Sequence, residues 1–494
     1  MQQVVIVGGG ISGLATARYL TDLAGEAGLK TTGPSLDLRI TLLEAEDRLG
    51  GNIRTDRFGD YLVEQGPDGF LDNQPKTLEL ARRVGLSDRI LPASDAMSRR
   101  FILRNGKLRE VPGKPQAFLT SRILSLSGKL RVLCEPFSRS SREDDQTVYA
   151  FARRHIGEEA ARILVDAMVS GIFAGDIEKL SLKSAFPTMH DMESAHGTLT
   201  RAMFAKMREA RMSGKKTGSP MGPGGRLTSF TGGMEELISA LAGSLPEETI
   251  WKAHPVTAVS VEDAEGQSMW RISVETRRVT PHILADAVIL ALPARRSAEI
   301  VKKTDENLAR ILSEIPYAPL VVLATAYHSR DIPFPPDGFG FLAPRNQGLR
   351  ILGSLWTSSI YGESRAPGGQ ALLRNMLGGA HDPDVLKLDD QELSKLVKED
   401  LRQAMGITAD PVQTWIYRHD LGIPQYNAGH SRRLEELEKI AEHRPGLFMT
   451  GNSFRGIGVN QCIVDAETTA LKVMAHLQRQ ADRSLASTKA NPAL

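Results

Sequence analysis

Cysteine is nearly absent from this chain of 494 residues, which contains only Cys134 and Cys462. Two distant cysteines exclude a disulfide framework and any metal site that needs four thiolate ligands. No set of histidines at metal-ligand spacing replaces them, so we expect no bound metal. A reducing, cytoplasmic compartment is the expected location.

Long apolar runs are missing as well. A transmembrane helix needs about 18 consecutive apolar residues or more, whereas the longest runs here, residues 288–292 and 320–324, have the length of a strand. The chain also lacks the basic start of a signal peptide, because its first apolar residues lead directly into a glycine motif. We therefore expect neither a membrane span nor export.

An excess of one charge is the third absence. Lys and Arg number 61 and Asp and Glu number 59, which gives a net charge of +2. A dedicated nucleic-acid binder carries a basic excess, so nucleic acid is not an expected partner. Hydrophobic residues make up 41% and charged residues 24%, a composition that excludes wholesale disorder. The length predicts about two to four folded domains.

The first residues carry the pattern of a dinucleotide-binding unit. Residues 3–7 predict a buried parallel strand, and residues 14–24 predict a helix. Between them stand three glycines at the spacing G-x-G-x-x-G, namely Gly8, Gly10 and Gly13. The first glycine allows a tight turn, the second a close approach of pyrophosphate, and the third close packing of helix on strand. The helix N-terminus offers its N–H groups to the phosphates.

A second strand and an acid complete this unit. Residues 38–43 predict a strand that ends at Glu44, whose carboxylate can accept hydrogen bonds from a ribose diol. Residues 25–35 predict an inserted surface loop. The alternative is a doubly wound sheet that binds nothing. The complete order of strand, turn, helix, strand and acid favours a bound dinucleotide.

Residues 44–55 indicate which dinucleotide is bound. They resemble the E-x-x-x-R-x-G-G-x-x-x-[ST] signature of the flavoprotein superfamily that includes amine oxidases, carotenoid desaturases and protoporphyrinogen oxidases. The matching residues are Glu44, Arg48, Gly50, Gly51 and Thr55. In that superfamily the cofactor is FAD. Arg48 is a donor suited to phosphate, and the alternative is that it only caps a turn.

The resemblance implies further contacts to a noncovalently bound FAD. They are Gly51 and Asn52 in the second glycine turn, Gly66, Pro67, Asp68 and Gly69 in a loop near the flavin, Val256 near the adenosine, and Ile457, Gly458 and Val459 before a C-terminal helix over residues 463–478. The superfamily directs the N-terminus of that helix at the pyrimidine end of the flavin. Negative charge collects there when the flavin is reduced, and the helix dipole stabilises it.

Four further segments resemble the protoporphyrinogen oxidases and their bacterial coproporphyrinogen relatives. They are residues 171–182 (G-[VI]-[FY]-[AS]-G-[DN]-x-x-x-L-S), residues 338–342 (G-F-G-x-L), residues 423–430 (I/M-P-Q-Y-x-x-G-H) and residues 453–463, which end in Cys462 and Ile463. The last two segments are the most specific. Together with the N-terminal motifs, the resemblance extends from residue 4 to about residue 475.

This resemblance implies an oxygen-dependent FAD oxidase of haem biosynthesis. Six electrons leave protoporphyrinogen IX or coproporphyrinogen III in three two-electron steps, and dioxygen is converted to hydrogen peroxide. Arg100 falls where the family pairs an arginine with a substrate propionate. Phe339 and Leu342 fall where side chains of the family contact the macrocycle. Gly171 falls where the family brings the edge of the macrocycle close to the backbone. No catalytic acid, base or nucleophile is identified.

We predict an α/β fold with a discontinuous Rossmann-type FAD domain, an α+β substrate domain and a mainly helical subdomain. The FAD domain comprises residues 1–90, 225–298 and 440–480, the substrate domain residues 91–115 and 299–439, and the helical subdomain residues 116–216, with a tail at residues 481–494.

Residues 201–216 predict a basic amphipathic helix, which can lie on an anionic membrane surface. The alternative is a solvated helix that packs an ordinary apolar face. Dioxygen, a porphyrinogen and the next enzyme of haem synthesis are the other partners that the resemblance implies. The expected location is then the cytoplasm, with peripheral attachment to the inner face of the membrane.

Two other functions stay open. An amine oxidase of the same fold usually has an aromatic cage and often a cysteine bound to the flavin, and Cys462 does not lie at such a position. A noncatalytic flavin- or porphyrin-binding protein requires only the loss of turnover. Taken alone, Arg100 fits a surface charge and Phe339 fits a core residue.

Overall fold

The computed structural model describes residues 1–29, 37–141, 143–213, 225–264, 267–275 and 281–490. Strands and helices are mixed along most of the chain. The strands are β1 (Gln2–Val7), β2 (Leu38–Leu43), β3 (Thr55–Phe58), β4 (Tyr61–Glu64), β5 (Phe70–Leu71), β6 (Ile90–Pro92), β7 (Arg100–Arg104), β8 (Lys107–Glu110), β9 (Leu227–Phe230), β10 (Ile250–Trp251), β11 (Val256–Ala264), β12 (Gln267–Val274), β13 (His282–Ala285), β14 (Ala287–Leu290), β15 (Tyr317–His328), β16 (Gly340–Leu342), β17 (Ile351–Trp356), β18 (Gln370–Gly378), β19 (Gln413–Pro424) and β20 (Leu447–Met449).

Helices connect and cover these strands. They are α1 (Ile11–Leu29), α2 (Pro75–Arg83), α3 (Pro115–Thr120), α4 (Leu126–Leu133), α5 (Val148–Ile156), α6 (Glu158–Ala160), α7 (Asp166–Phe173), α8 (Leu182–Ala185), α9 (Pro187–His196), α10 (Leu199–Ser213), α11 (Glu235–Gly243), α12 (Ala294–Val301), α13 (Glu306–Ser313), α14 (Thr357–Tyr361), α15 (Asp390–Met405), α16 (His430–Glu442) and α17 (Val459–Ala490). A π-helical turn, Ala161–Val165, joins α6 to α7.

A five-stranded parallel sheet has the order β10-β2-β1-β14-β20, so its strands come from three separated parts of the chain. Alternate residues of β1 face opposite sides of the sheet, as the two-residue period of a strand requires. Val4 and Ile6 pack in the cluster that includes α1 and α17, whereas Val5 and Val7 pack with β12 and α13. Helices on both faces of a parallel sheet confirm the predicted α/β fold.

A seven-stranded sheet has the order β19-β15-β18-β17-β16-β7-β8 and is antiparallel except where β16 pairs with β7. One face is a core that includes Phe101, Val321 and Trp356 and is covered by α15. The hairpin of β7 and β8 turns at Asn105 and Gly106, which both have positive φ. The dipeptide Asn105-Gly106 between two strand-like runs predicts a type I′ hairpin turn, and the structure confirms it.

Three predicted boundaries were wrong. The inserted loop was predicted from residue 25, but α1 continues through Gly25 to Leu29, since an exposed glycine costs a helix only about 1 kcal/mol. The predicted tail began at residue 481, but α17 continues to Ala490 and also starts earlier than predicted, at Val459. Residues 30–36, 142, 214–224 and 491–494, which include parts of the predicted loop, helical segment and tail, lie outside the described residues.

The chain between α3 and α10 is largely helical, as its apolar spacing predicted. The fully buried His155 helps to hold this part together: its Nδ1 lies 2.9 Å from Glu135 and its Nε2 lies 3.0 Å from Glu193. Within the described ranges, no helix combines the length and the hydropathy needed to cross a bilayer.

Candidate active site

Two glycine turns meet at the carboxyl ends of β1 and β2. The Gly50 N–H donates to the Gly9 carbonyl at 2.9 Å, and Gly10 and Gly50 form a parallel bridge. A Cβ atom built on Gly51 would lie 3.7 Å from the Gly10 Cα. The two turns predicted to approach the cofactor therefore form one continuous surface.

The three glycines of the first turn have different surroundings. Gly8 has a φ of +109°, which a residue with a side chain rarely adopts, and a Cβ on Gly13 would collide with the Gly8 carbonyl. At Gly10, no atom of the described residues lies within 4 Å of the Cβ position. This open space adjoins the N-terminal end of α1, whose first N–H groups have no partner within the helix. The turn thus fits the pyrophosphate of a dinucleotide.

Glu44 lies beside this turn, directly after β2. Its carboxylate accepts hydrogen bonds from the N–H of Gly9 at 2.7 Å and from the N–H of Glu46 at 2.9 Å. A carboxylate can accept about four hydrogen bonds, so acceptor capacity remains after these two. The geometry suits the predicted contact to a ribose diol.

Arg48 lies in the second turn, and its guanidinium is directed at the turn itself. It donates to the carbonyl oxygens of Gly51 at 2.8 Å and Leu49 at 3.2 Å and lies 3.2 Å from the Glu46 carboxylate. These contacts are those of a turn cap, the alternative that the sequence left open. A phosphate contact by Arg48 stays a prediction.

The loop predicted to lie near the flavin consists of Gly66, Pro67, Asp68 and Gly69. A Cβ on Gly66 would collide with the carbonyl oxygen of Asn52, so the loop packs directly against the second glycine turn. On its other side, Arg374 of β18 donates to the Gly66 carbonyl at 2.6 Å and forms an ion pair with the buried Asp68. The loop is therefore fixed between the glycine turns and the seven-stranded sheet.

The remaining predicted cofactor residues approach the same edge of the parallel sheet. The His254 N–H donates to the Glu44 carbonyl at 2.8 Å, which brings Val256, two residues later, near the end of β2. The N-terminal end of α17 carries Ile457, Gly458 and Val459. Val459 and Ile463, in the first turns of α17, pack in the same cluster as Ile11 and Leu14 at the start of α1. The N-terminal ends of α1 and α17 therefore lie side by side.

The sheet face that carries Arg374 also carries Arg100. Cross-strand pairing places four residues in one row: Arg100, Gly340, Leu355 and Arg374. Neighbouring strands are about 4.8 Å apart, so three strand spacings separate the two arginines by about 14 Å. The row leads from Arg100 to the loop predicted to lie near the flavin.

Between the two arginines this sheet face is apolar and only half-buried. Its half-buried side chains are those of Leu342, Leu352, Leu355 and Met376. Leucine and methionine are among the residues most often fully buried, so we infer from these four partly accessible side chains that a hollow lies above the sheet. Gly171 of α7 forms a wall of this hollow, because a Cβ there would lie 2.8 Å from Leu342 Cδ2. The predicted substrate residues Gly171 and Leu342 are thus neighbours.

Arg100 lies at one end of the hollow with its guanidinium over the ring of Phe339, 5.3 Å from Cζ to the ring centroid. Desolvation lowers the pKa of Arg100, and no charged group of the described residues shifts it further. The adjacent Arg99 is instead paired with Asp337. Arg100 is therefore an uncompensated cation beside an apolar hollow, an arrangement that suits a large apolar ligand with a carboxylate.

Arg374 was not anticipated from the sequence. Its contacts connect the loop at residues 66–69 to the sheet that carries the hollow. The sequence does contain a signal for a buried charge, because Arg374 is the one charged residue in the largely apolar residues 371–377. A charge in a buried strand requires a polar partner, and that partner is here the predicted flavin loop.

Glu64, at the end of β4, was not anticipated either. Its carboxylate accepts the Met234 N–H and the Thr55 hydroxyl, both at 2.8 Å, and it is 1% exposed. Burial raises the pKa of Glu64 from 4.5 to about 7. The two hydrogen bonds and the more distant Arg365, at 4.0 Å, offset only part of this effect.

We expect Glu64 to make the free energy of unfolding fall as the pH rises from about 4.5 to about 7. In that range the folded protein keeps the proton that the unfolded chain releases, so the contribution of Glu64 declines. A shift from 4.5 to about 7 corresponds to about 3 kcal/mol. Glu64→Gln should remove this dependence, so its stability relative to wild type should rise between pH 5 and pH 8 in urea unfolding. Parallel pH profiles of the two proteins would contradict the assignment.

Comparisons with known proteins agree with this geometry. Residues 11–474 match the family described as "Flavin containing amine oxidoreductase". The coproporphyrinogen III oxidase of Bacillus subtilis (strain 168) is 30% identical, over 96% of this chain and 98% of its own length. The protoporphyrinogen oxidase 2 (chloroplastic/mitochondrial) of Arabidopsis thaliana is also 30% identical, over 97% of this chain and 94% of its own.

A crystal structure from Exiguobacterium, provisionally named a protoporphyrinogen oxidase, has a similar fold. It superposes with a TM-score of 0.79 at 25% identity and covers 97% of this chain and 99% of its own. A reduced UDP-galactopyranose mutase, at 16% identity and a TM-score of 0.71, shares the fold alone. The resemblance inferred from the motifs and the predicted fold are both confirmed.

Proposed function

Because the chain belongs to the flavin-containing amine oxidoreductase family, we propose that it is an FAD-dependent oxidase that converts a porphyrinogen to a porphyrin in haem biosynthesis. The observation that carries this proposal is the apolar hollow between Arg100 and Arg374. Arg100, which forms an ion pair with no described residue, lies at one end, and the loop of residues 66–69, predicted to lie near the flavin, lies at the other. A porphyrinogen, which is large, apolar and edged by carboxylates, matches that arrangement.

The cofactor side of the site is built from backbone groups. FAD, when bound, supplies the redox chemistry by accepting two electrons in each step. The N-terminal end of α1 and the open space at Gly10 suit its pyrophosphate. The N-terminal end of α17 offers partial positive charge to the flavin. Burial raises the pKa of Cys462 to about 12, so this thiol stays neutral, which supports noncovalent binding.

The substrate side positions the porphyrinogen. Arg100 binds a propionate through its planar guanidinium, and Phe339 fixes that guanidinium by a cation–π contact. Leu342 and Gly171 line the macrocycle, and the apolar floor of the hollow excludes water. Positioning of the C–H bond against the cofactor is sufficient for this chemistry, and we assign no general base.

We propose dioxygen as the electron acceptor. Six electrons leave the porphyrinogen in three two-electron steps, so three molecules of dioxygen become three of hydrogen peroxide, with protons from the substrate. The test is aerobic incubation of the FAD-loaded protein with each porphyrinogen and no added nicotinamide, followed by porphyrin fluorescence and peroxide. Oxidation of an amine with both porphyrinogens left untouched would point to the amine oxidase alternative. Flavin that no porphyrinogen reduces would point to a noncatalytic binding protein.

Both porphyrinogens remain candidate substrates, and their initial rates decide between them. Coproporphyrinogen carries two more propionates, so its site should offer additional cations. Arg99 is paired with Asp337, and Arg345 lies 3.0 Å from the buried Asp166, so both are already engaged. Lys107, at the tip of the β7–β8 hairpin, is exposed.

The proposed domain division is the one predicted from the sequence. The parallel sheet, built from three separated segments, supports residues 1–90, 225–298 and 440–480 as the FAD domain. The seven-stranded sheet, which begins with β7 and β8 and resumes at β15, supports residues 91–115 and 299–439 as the substrate domain.

We further propose that the helical subdomain, residues 116–216, docks on an anionic membrane. Its helix α4 exposes an apolar stripe at Leu126, Leu130 and Leu133, and α10 exposes Phe204 at 62%. Arg208, one turn after Phe204, is exposed on the same side of α10, and Lys206 is exposed on the same helix. An exposed apolar patch among cations is typical of a surface that lies on a membrane. Attachment to the cytoplasmic face would also bring the enzyme to the next enzyme of haem synthesis.

Binding to anionic vesicles should be weak and salt-sensitive. The screening length falls from ~10 Å at 0.1 M salt to ~3 Å at 1 M, so co-sedimentation should be lost at high salt. Charge reversal by Lys206→Glu with Arg208→Glu should also abolish it. The matched control reverses another exposed pair, Lys302→Glu with Lys303→Glu, and should bind as wild type does. Equal, salt-independent binding to neutral vesicles would contradict the electrostatic account.

A further inference from the structure

Tyr426 lies in the segment of residues 424–430, which the sequence marks as specific but to which no role is yet assigned. Its side chain is buried, at 1% exposure. The hydroxyl donates to the Asn452 carbonyl and accepts the Gly456 N–H at 2.8 Å. Both partners belong to residues 450–458, the loop that joins β20 to α17. One hydroxyl therefore connects two backbone groups of this loop.

His430 holds the same loop from the end of the segment. Its ring stacks on that of Tyr426 at 4.1 Å and 12° and is 1% exposed. Its Nε2 donates to the Phe454 carbonyl at 3.0 Å. Burial lowers the pKa of His430 to about 4, so the imidazole is neutral at pH 7 and carries one N–H, which this carbonyl requires on Nε2.

The segment also contacts the wall of the hollow. Gln425 Nε2 donates to the carbonyl of Phe173 at 2.7 Å, at the end of α7, and Ser181 donates its N–H to the Tyr426 carbonyl at 2.8 Å. Gly171, which faces the hollow, lies two residues before Phe173 on the same helix. Residues 424–430 thus connect the substrate wall to the loop that precedes α17.

The loop depends on this support for its conformation. Gly456 has a φ of +128°, which residues with side chains rarely adopt. Ile457, a predicted cofactor residue, packs against the cluster that contains Tyr426 and Phe173. The orientation of the N-terminal end of α17 is therefore fixed by groups that do not themselves lie on the helix.

We infer that Tyr426 is a positioning residue for the cofactor. Its hydroxyl fixes the loop at Asn452 and Gly456, so that the N-terminal end of α17 is already oriented towards the flavin. Through Gln425, the same segment sets the spacing between that helix end and the wall of the hollow. The inference concerns FAD binding and does not depend on which porphyrinogen is oxidised.

The test is the rate of FAD release from the holoenzyme after dilution, followed by flavin fluorescence. Tyr426→Phe keeps the ring and removes the hydroxyl, and we expect release about tenfold faster than in wild type. His430→Phe keeps a stacked ring without the N–H and should accelerate release as well. The matched control is Tyr327→Phe, which removes another buried hydroxyl, in the core of the seven-stranded sheet, and should release FAD at the wild-type rate.

Urea unfolding of the same proteins separates positioning from general stability. The inference is supported if Tyr426→Phe and Tyr327→Phe lose similar stability and, of these two variants, only Tyr426→Phe releases FAD faster. It is overturned if Tyr426→Phe and His430→Phe both release FAD at the wild-type rate, or if Tyr327→Phe accelerates release equally. None of these measurements uses a porphyrinogen, so failure of the proposed reaction would not affect them.

Discussion

Gly10→Val should yield a folded protein that binds FAD about one to two orders of magnitude more weakly. No atom of the described residues lies within 4 Å of the Cβ position at Gly10, so the fold itself tolerates a side chain there. Gly10 is also absent from the glycines with positive φ, so its backbone suits other residues. The space that valine fills is the one we assign to the pyrophosphate. Overpacking costs about 1–3 kcal/mol, which corresponds to about one to two orders of magnitude in affinity.

The measurement is the flavin content of the purified variant together with its urea-unfolding midpoint. Gly25→Val is the matched control, because Gly25 lies on α1, the helix that follows Gly10, also has no described atom within 4 Å of its Cβ position, and is remote from the turn. It should remain yellow. Wild-type flavin content in Gly10→Val would contradict our assignment of the pyrophosphate to this turn.

Arg100→Ala should lower kcat/KM for the porphyrinogen by about one to two orders of magnitude. A charge-assisted hydrogen bond contributes about 1.5–3 kcal/mol, and 1.36 kcal/mol corresponds to about tenfold. Because Arg100 anchors the substrate far from the reacting atoms, KM should rise more than kcat falls. FAD content and Tm should stay near wild type, since the guanidinium has no ion-pair partner among the described residues to lose.

Two variants make this assignment specific. Arg100→Lys should recover only part of the loss, because an ammonium lacks the planar fork that binds a carboxylate. Arg99→Ala removes the neighbouring arginine, which pairs with Asp337, and should leave kcat/KM nearly unchanged. If Arg100→Ala keeps the wild-type kcat/KM with both porphyrinogens, the assignment is contradicted, and Arg100 is a solvated surface charge.

The sequence predicted those elements whose own residues determine them. β2 spans Leu38–Leu43 as predicted, because a β-branched and leucine-rich run between polar ends suits one buried strand. The hairpin at Asn105 was predicted from the turn chemistry of two residues. The dinucleotide turn was predicted for the same reason, because each of its glycines is required by the steric constraints of the turn itself.

Elements that depend on distant partners were less predictable. β9 (Leu227–Phe230) is a strand because it lies between β5 and β6 of a small sheet, and its four residues carry little signal of their own. α17 packs in the cluster that contains α1 as far as Leu477 and then continues to Ala490, an extension that no pattern within residues 479–490 predicts. Glycine at position 25 indicated a helix end, but an exposed glycine costs a helix only about 1 kcal/mol, and α1 continues to Leu29.

The candidate site divides in the same way. Gly10 and Glu44 were predicted because motifs carry them, and Arg100 was predicted from the family resemblance. Arg374 and Tyr426 were missed as site residues because their roles arise only when separate segments meet: Arg374 reaches a loop more than 300 positions away, and Tyr426 reaches the loop before α17. A buried polar group in an apolar strand signals that such a partner exists without identifying it.

Anaerobic mixing of the FAD-loaded protein with a porphyrinogen tests the central claim most directly. Without dioxygen, the flavin can accept only two of the six electrons, so the yellow absorbance should bleach, and admission of air should restore the flavin, produce peroxide and let porphyrin fluorescence rise. Arg100→Ala should bleach more slowly at low substrate. A flavin that stays oxidised with protoporphyrinogen and with coproporphyrinogen, yet bleaches with an amine, would contradict the account.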